Sequence, residues 1–348
     1  MRTLEWESTR KQLRMVDQRL LPSEFTHIYL SDHHQVADSI RNMAVRGAPA
    51  IGVAAAYGMA LAALGSTMNT VEDIRTQLIS AAEVLEAARP TAVNLPWALK
   101  RMLGVAARQY DTPDALKNSL LEEAHAMADE DVEVNMRIST NGAEVIEDGD
   151  TIIHHCNTGA LATVDWGTAL GVIRMAHDQG KRIHVLVDET RPRLQGARLT
   201  AWELMQYKIP FDIISDNAAG SFLRSGKVNR VIFGADRVAR NGDVANKIGS
   251  YMLALAAHAN NVPVYSVFPL STIDIELANG SLIPIEERSQ DEVLDLKLHD
   301  RKVTPNGASA CNPAFDVTPH DLISGLITEK GVITPPFEEK LIRFMGEG

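Results

Sequence analysis

His154-His155-Cys156-Asn157-Thr158-Gly159-Ala160 decides the reading of this chain. Ahead of it, Asp150-Thr151-Ile152-Ile153 is a short apolar, β-branched run of the kind that forms a buried strand. Behind it, Trp166-Gly167-Thr168-Ala169-Leu170-Gly171-Val172-Ile173-Arg174 is apolar at helical spacing. A strand, a small polar turn with Gly159, then a helix make a βα unit. Such a turn sits at the carboxyl edge of a parallel sheet, where ligands usually bind. It offers a thiol, a carboxamide, a hydroxyl and open backbone N–H groups, a set able to hold an anion and do chemistry beside it. The plainer alternative is a buried cysteine acting as a small hydrophobe, with Asn157 as a turn former.

Working outward toward the C terminus, strands alternate with helices. Strand 150–155 precedes helix 167–178, and strand 183–187 precedes helix 197–206. Strand 211–214 precedes a short helix near 217–224, and strand 230–233 precedes helix 245–258. Strand 263–267 closes the run, and the proline-rich chain after Pro269 reads as irregular. This alternation predicts a parallel sheet wound on both faces. Toward the N terminus the pattern is different. Two short strands lie within 13–31, and helical patterns follow over 35–43, 49–64, 71–88, 95–108 and 114–138. The expected architecture is therefore α/β. A mostly helical N-terminal domain, 1–140, precedes a Rossmann-like parallel-sheet domain, 141–348, with the site in the cleft between them.

Composition narrows the function. The 348 residues suit about two domains, and 45% hydrophobic residues can bury a substantial core. A net charge of −11 without a long basic run argues against nucleic acid or an anionic membrane as partner. A small anionic substrate would need arginines gathered locally against that field. With only Cys156 and Cys311 there is no disulfide framework, which fits a reducing cytoplasm. The N terminus has no apolar signal core. The uncharged stretch between Arg46 and Glu72 is long enough to span a bilayer. Its Ala and Gly content fits a close-packed buried helix better.

Polar loops follow several of the predicted strands. Besides Cys156 they are Asp188–Gly196, Asp216-Asn217, and Gly234-Ala235-Asp236-Arg237, the last leading to Asn246-Lys247-Ile248-Gly249. Loops at the carboxyl ends of parallel strands converge in space, so these form the candidate site. Arg46-Gly47-Ala48-Pro49 sets a guanidinium and a glycine before a helix with proline in its first turn, a candidate phosphate-binding arrangement whose plainer alternative is a salt-bridged arginine near a helix end. Arg89-Pro90-Thr91 stands between two helices and is a second candidate. Metal is not expected: His154 and His155 are neighbours on a strand and point to opposite faces. No GxGxxG follows the first strand of the sheet domain, so no dinucleotide cofactor is expected either.

Several segments in order resemble the methylthioribose-1-phosphate isomerases. They are Val45–Gly52, Arg89–Leu95, His155–Gly159, Glu189–Pro192, Gly234–Arg237, Asn246–Gly249 and Asn312–Asp316. That family shares a superfamily with the ribose-1,5-bisphosphate isomerases and with the regulatory subunits of the translation-initiation guanine-nucleotide exchange factor. The resemblance covers nearly the whole chain. It implies an aldose–ketose isomerisation in methionine salvage and methionine biosynthesis, by a cytoplasmic homodimer without a cofactor. It also implies Cys156 and Asp236 as catalytic residues, and Arg46, Gly47, Ala48, Arg89, Gln195, Asn246 and Lys247 as substrate-binding residues. Two alternatives stay open: an isomerase of ribose 1,5-bisphosphate, and a non-enzymatic regulatory subunit. The latter generally lacks the Cys and Asp pair.

Overall fold

The computed structural model describes residues 1–89 and 94–346. Pro90 to Val93, inside the Arg89–Leu95 segment, lie outside the described residues. The chain divides into two compact units, Met1–Met136 with Thr158–Gly167, and Arg137–Asn157 with Thr168–Gly348.

The first unit opens with an antiparallel sheet of β1 (Leu4–Glu7), β2 (Gln12–Val16) and β3 (His27–Leu30). Helices α1 (His33–Arg41), α2 (Ala48–Leu64), α3 (Val71–Glu86), α4 (Asn94–Ala106) and α5 (Pro113–Ala143) follow, the last running on into the second unit. Asp32 starts α1 and Thr70 starts α3, each accepting a hydrogen bond from the backbone N–H three residues on. The uncharged stretch is α2, buried from Ala50 to Ala63 because α1, α3 and α4 pack around it. A helix apolar on every side belongs inside a core. Among the described residues no helix is long and apolar enough to cross a membrane. The Thr158–Gly167 segment is tied to this unit by its backbone. Thr3 donates to the carbonyls of Ala160 (2.6 Å, side chain) and Val164 (2.8 Å, backbone), and the Gln18 side chain donates to Leu161 (2.6 Å).

The second unit holds β4 (Thr151–His155), α6 (Ala169–Asp178), β5 (His184–Asp188), α7 (Ala201–Tyr207), β6 (Phe211–Ile214), α8 (Ala219–Arg224) and β7 (Arg230–Phe233). It continues with β8 (Arg237–Ala239), β9 (Val244–Lys247), α9 (Ser250–Ala259), β10 (Val264–Val267), β11 (Ile273–Asp274) and α10 (Asp291–Leu294). A small hairpin of β12 (Lys297–Leu298) and β13 (Arg301–Lys302) comes next, then β14 (Phe315–Thr318), β15 (Gly325–Thr328), β16 (Gly331–Ile333) and α11 (Glu338–Gly346). Among the described residues the main sheet has seven strands in the order β16-β15-β10-β7-β4-β5-β6, parallel except for β16. From β4 the chain adds β5 and β6 on one side. It then returns to add β7 and β10 on the other. The order of strands thus reverses between β4 and β7, which is where open parallel sheets bind ligands.

Two expectations are corrected. The sheet does not close at Val267: β15 and β16 extend it, and all of Gly325–Thr328 is buried. Prolines at 319, 335 and 336 flank these short strands and mask them. The helix expected over 245–258 is a strand followed by a helix. Val244–Lys247 pairs antiparallel with Thr318–Phe315, and cross-strand pairing overrides the local helical spacing. Helix α9 begins only at Ser250, its first N–H groups capped by Asp316. That carboxylate accepts from Gly249 N (2.7 Å) and Tyr251 N (3.1 Å).

Candidate active site

Cys156 leaves the end of β4 with φ +71, a left-handed conformation rare outside glycine, asparagine and aspartate. The residue is 6% exposed. Three neighbours fix it. Its N–H donates to Thr190 Oγ1 (3.0 Å), its carbonyl accepts from Thr200 Oγ1 (2.7 Å), and Gln195 Nε2 points a donor at Sγ from 3.5 Å. Asn157 donates to Glu203 Oε1 (2.8 Å) and to the same Thr200 Oγ1 (3.3 Å).

Beneath the thiol lies a buried polar network. His155 Nδ1 is 2.8 Å from Asp188 Oδ2, and Nε2 is 2.9 Å from the Ile248 carbonyl. A carbonyl only accepts, so Nε2 carries a hydrogen, and the Nδ1–Oδ2 contact needs one more proton between the two groups. Burial by itself would push His155 down, but the hydrogen bond and charge of Asp188 override it and hold it at about 9. Burial also pushes Asp188 up, so the shared proton stays with the pair. His154, on the opposite face of the strand, donates Nδ1–H to the Ile232 carbonyl (2.8 Å) and is held neutral. Burial lowers it to about 4. Asp188 Oδ1 and Gln195 Oε1 are buried without a hydrogen-bond partner. Such atoms cost stability unless something else uses them.

His155, Asp188 and Asp216 bring ligand-type atoms within 4.8 Å of one another. Their atoms are largely engaged already. Both His155 ring nitrogens are bonded, and Asp216 accepts from Thr190 N and Arg191 N, each at 2.7 Å. Four-coordinate binding would have to break those bonds.

Asp236 lies just past β7, half-buried, its N–H donating to the Ala245 carbonyl (2.9 Å). His155 is in register with Phe233, so Cys156 and the Gly234–Asp236 loop leave adjacent strands at the strand-order reversal. The bond to Ala245 sets Asp236 beside β9, which carries Asn246 and Lys247. Both are buried: Asn246 donates to Ser250 Oγ (2.8 Å), and Lys247 Nζ donates to the Ala314 carbonyl (2.6 Å) and lies 4.6 Å from the Phe315 ring centre. Arg46, Gly47, Ala48 and Arg89 belong to the first unit, all half-buried. Gly47 caps α2 with φ +93, and a Cβ there would come within 2.2 Å of the Ala162 carbonyl oxygen. Only glycine fits. The sequence pointed to the loops after β5 and β6 but gave His155, Asp188, Thr190 and Asp216 no role. The signal available was polar residues bunched directly after predicted strands.

These features define an α/β protein with a mostly parallel seven-stranded sheet and polar loops gathered where its strand order reverses. A model of the initiation factor 2 subunit family matches residues 44–335. The methylthioribose-1-phosphate isomerase of Fervidobacterium nodosum is 51% identical, over 99% of this chain and 98% of its own. The crystal structure of 5-methylthioribose 1-phosphate isomerase from Pyrococcus horikoshii is similar at a TM-score of 0.92 and 46% identity, covering 100% of this chain and 96% of that one. A chain from A. fulgidus described as the delta subunit of translation initiation factor eIF-2B has a TM-score of 0.87 and 42% identity, with 99% and 100% coverage. The chain belongs to the initiation factor 2 subunit family, among the relatives named methylthioribose-1-phosphate isomerases.

Proposed function

We propose that this chain converts 5-methylthioribose 1-phosphate to 5-methylthioribulose 1-phosphate. The observation that carries the reading is the pair Cys156 and Asp236, each following one of two adjacent strands at the strand-order reversal. The chemistry explains why these residue types belong there. A phosphate on C1 prevents spontaneous ring opening, so an acid must protonate the ring oxygen as its bond to C1 breaks. Asp236 takes that role. The C2 hydrogen must then reach C1. In one route the Cys156 thiolate removes it as a proton and an enol is reprotonated at C1; in the other it shifts as hydride while the site stabilises the cationic carbon. Isomerisation in D2O tests the first: deuterium at C1 marks proton transfer through an exchangeable group.

Arg46, the N–H groups at Gly47 and Ala48, Arg89, Gln195, Asn246 and Lys247 are assigned to the phosphate and hydroxyls, in accord with the resemblance. Gln195 already reaches the thiol, and its unpartnered Oε1 is an acceptor for a substrate hydroxyl. The protein is taken to work as a cytoplasmic homodimer on the same resemblance. The test is a coupled assay of the purified chain with 5-methylthioribose 1-phosphate, run beside ribose 1,5-bisphosphate. Turnover of the first is expected. Preference for the bisphosphate reassigns the substrate. No turnover of either, with partner chains retained from lysate, supports a regulatory subunit, the reading that the similarity to the A. fulgidus chain favours.

A further inference from the structure

We propose that Thr190, clamped by Asp216, is a positioning residue that holds Cys156 in its reactive conformation. The inference rests on the reading of Cys156 as a reacting group. It starts from the backbone. Cys156 (φ +71) and Thr190 (φ +61) both lie in the left-handed region, and for a β-branched residue such as threonine that is a marked outlier. Strained residues of this kind persist only where their surroundings hold them, and they gather at functional sites.

Here the surroundings are explicit. Asp216 grips the chain from one side, Oδ1 accepting from Thr190 N and Oδ2 from Arg191 N, both at 2.7 Å. From the other side the Thr190 hydroxyl joins two strand ends. It donates to the Asp188 carbonyl (3.0 Å) and accepts from Cys156 N–H (3.0 Å). A hydroxyl has one hydrogen, so this arrangement uses it fully and fixes its direction. The residue is wholly buried. Gly196 completes the arrangement. A Cβ there would come within 1.8 Å of the Asp188 carbonyl oxygen and 2.8 Å of Thr190 Oγ1. Cys156 N–H is thus the handle by which the loop after β5 sets the direction of the sulfur. The Thr190 hydroxyl meets Cys156 at its backbone N–H, so its effect on the reaction runs through the placement of Cys156.

The test uses two variants of nearly parental size. Thr190→Val keeps the β-branch and loses both hydrogen bonds, while Thr190→Ser keeps the hydroxyl. Displacing a reacting group by a fraction of its van der Waals radius lowers rates by about 10–100-fold. Thr190→Val should therefore lose about that much turnover with KM within about threefold, and melt lower because Cys156 N–H and the Asp188 carbonyl lose their partner, while Thr190→Ser should recover most of the rate. Turnover in Thr190→Val within about threefold of the parent, or equal losses in both variants, overturns the proposal. If Thr190→Val does not fold, Asp216→Asn carries the test from the other side of the clamp. It should lose about tenfold in turnover at constant KM, and parental turnover overturns the proposal. A readout without substrate separates this inference from the proposed reaction. In a Cys311→Ser background, methyl methanethiosulfonate labels Cys156 alone. Its rate should shift by about threefold or more in Thr190→Val and return in Thr190→Ser. An unchanged rate overturns the positioning role even if the parent shows no isomerase activity.

Discussion

At the residue scale the weight falls on Cys156 and Asp236. In the sequence the thiol stands out in a chain with only two cysteines, whereas Asp236 is one of several carboxylates after apolar strands, and it was the resemblance to the isomerases that joined the two as a pair. Losing a general acid or base costs about 10²–10⁴-fold in rate. Cys156→Ser and Asp236→Asn are near-isosteric, so turnover should fall by about that factor while the melting temperature holds. Measured kcat, KM and Tm for each variant decide the matter. A variant within about threefold of the parent has been given the wrong role. A loss that tracks a large fall in Tm makes the residue structural. What the sequence could not supply was the support around Cys156. Thr190 and Asp216 lie 34 and 60 positions downstream of it, and only the order of the strands brings their loops together. Spacing along the chain carries no trace of a contact made across a sheet.

At the element scale, β4, β5, β7 and β10 were legible because buried parallel strands are short apolar, largely β-branched runs between turn residues, and the half-exposed edge strand β6 was legible from the short apolar run of Phe211, Ile213 and Ile214. Helices α1 to α5 were legible from their apolar spacing and caps. Strand β9 was not, since Asn246 reads as the opening residue of a helix, and only the partner strand near residue 316 makes this stretch extended. One element carries a further consequence. Asp131, on α5, is half-buried and accepts from Val164 N (2.7 Å), and desolvation of its carboxyl pushes it up to about 7. An unfolded aspartate titrates near pH 4. Between these values the folded state holds a proton that the unfolded chain has lost, so this group's contribution to stability falls as pH rises from about 4 to about 7, by at most about 1.4 kcal/mol per pH unit. Asp131→Asn abolishes the titration and keeps an acceptor for Val164. Its Tm relative to the parent should rise between pH 5 and pH 8. A difference that stays flat across that range means Asp131 is already ionised in the fold.

At the scale of the whole molecule, the question is what the chain needs besides itself. Its net charge of −11 repels a phosphorylated sugar at long range, so affinity must come from cations close to the ligand. A divalent ion is the other way to hold a phosphate, and His155, Asp188 and Asp216 are the donor grouping to weigh. Their hydrogen bonds decide against it. Nδ1 of His155 shares a proton with Asp188, Nε2 serves the Ile248 carbonyl, and both Asp216 oxygens hold the backbone at Thr190 and Arg191. Only Asp188 Oδ1 is without a partner, and one carboxylate oxygen is too little for a metal site. An ion entering there would also have to displace the proton that His155 and Asp188 share. The purified chain should therefore isomerise its substrate at the same rate before and after dialysis against EDTA, with no nucleotide and no second kind of chain added. A rate that collapses on chelation and returns with one particular divalent ion would reassign these three residues as ligands. It would then be the metal, rather than the Asp216 clamp, that orders the loop beneath Cys156.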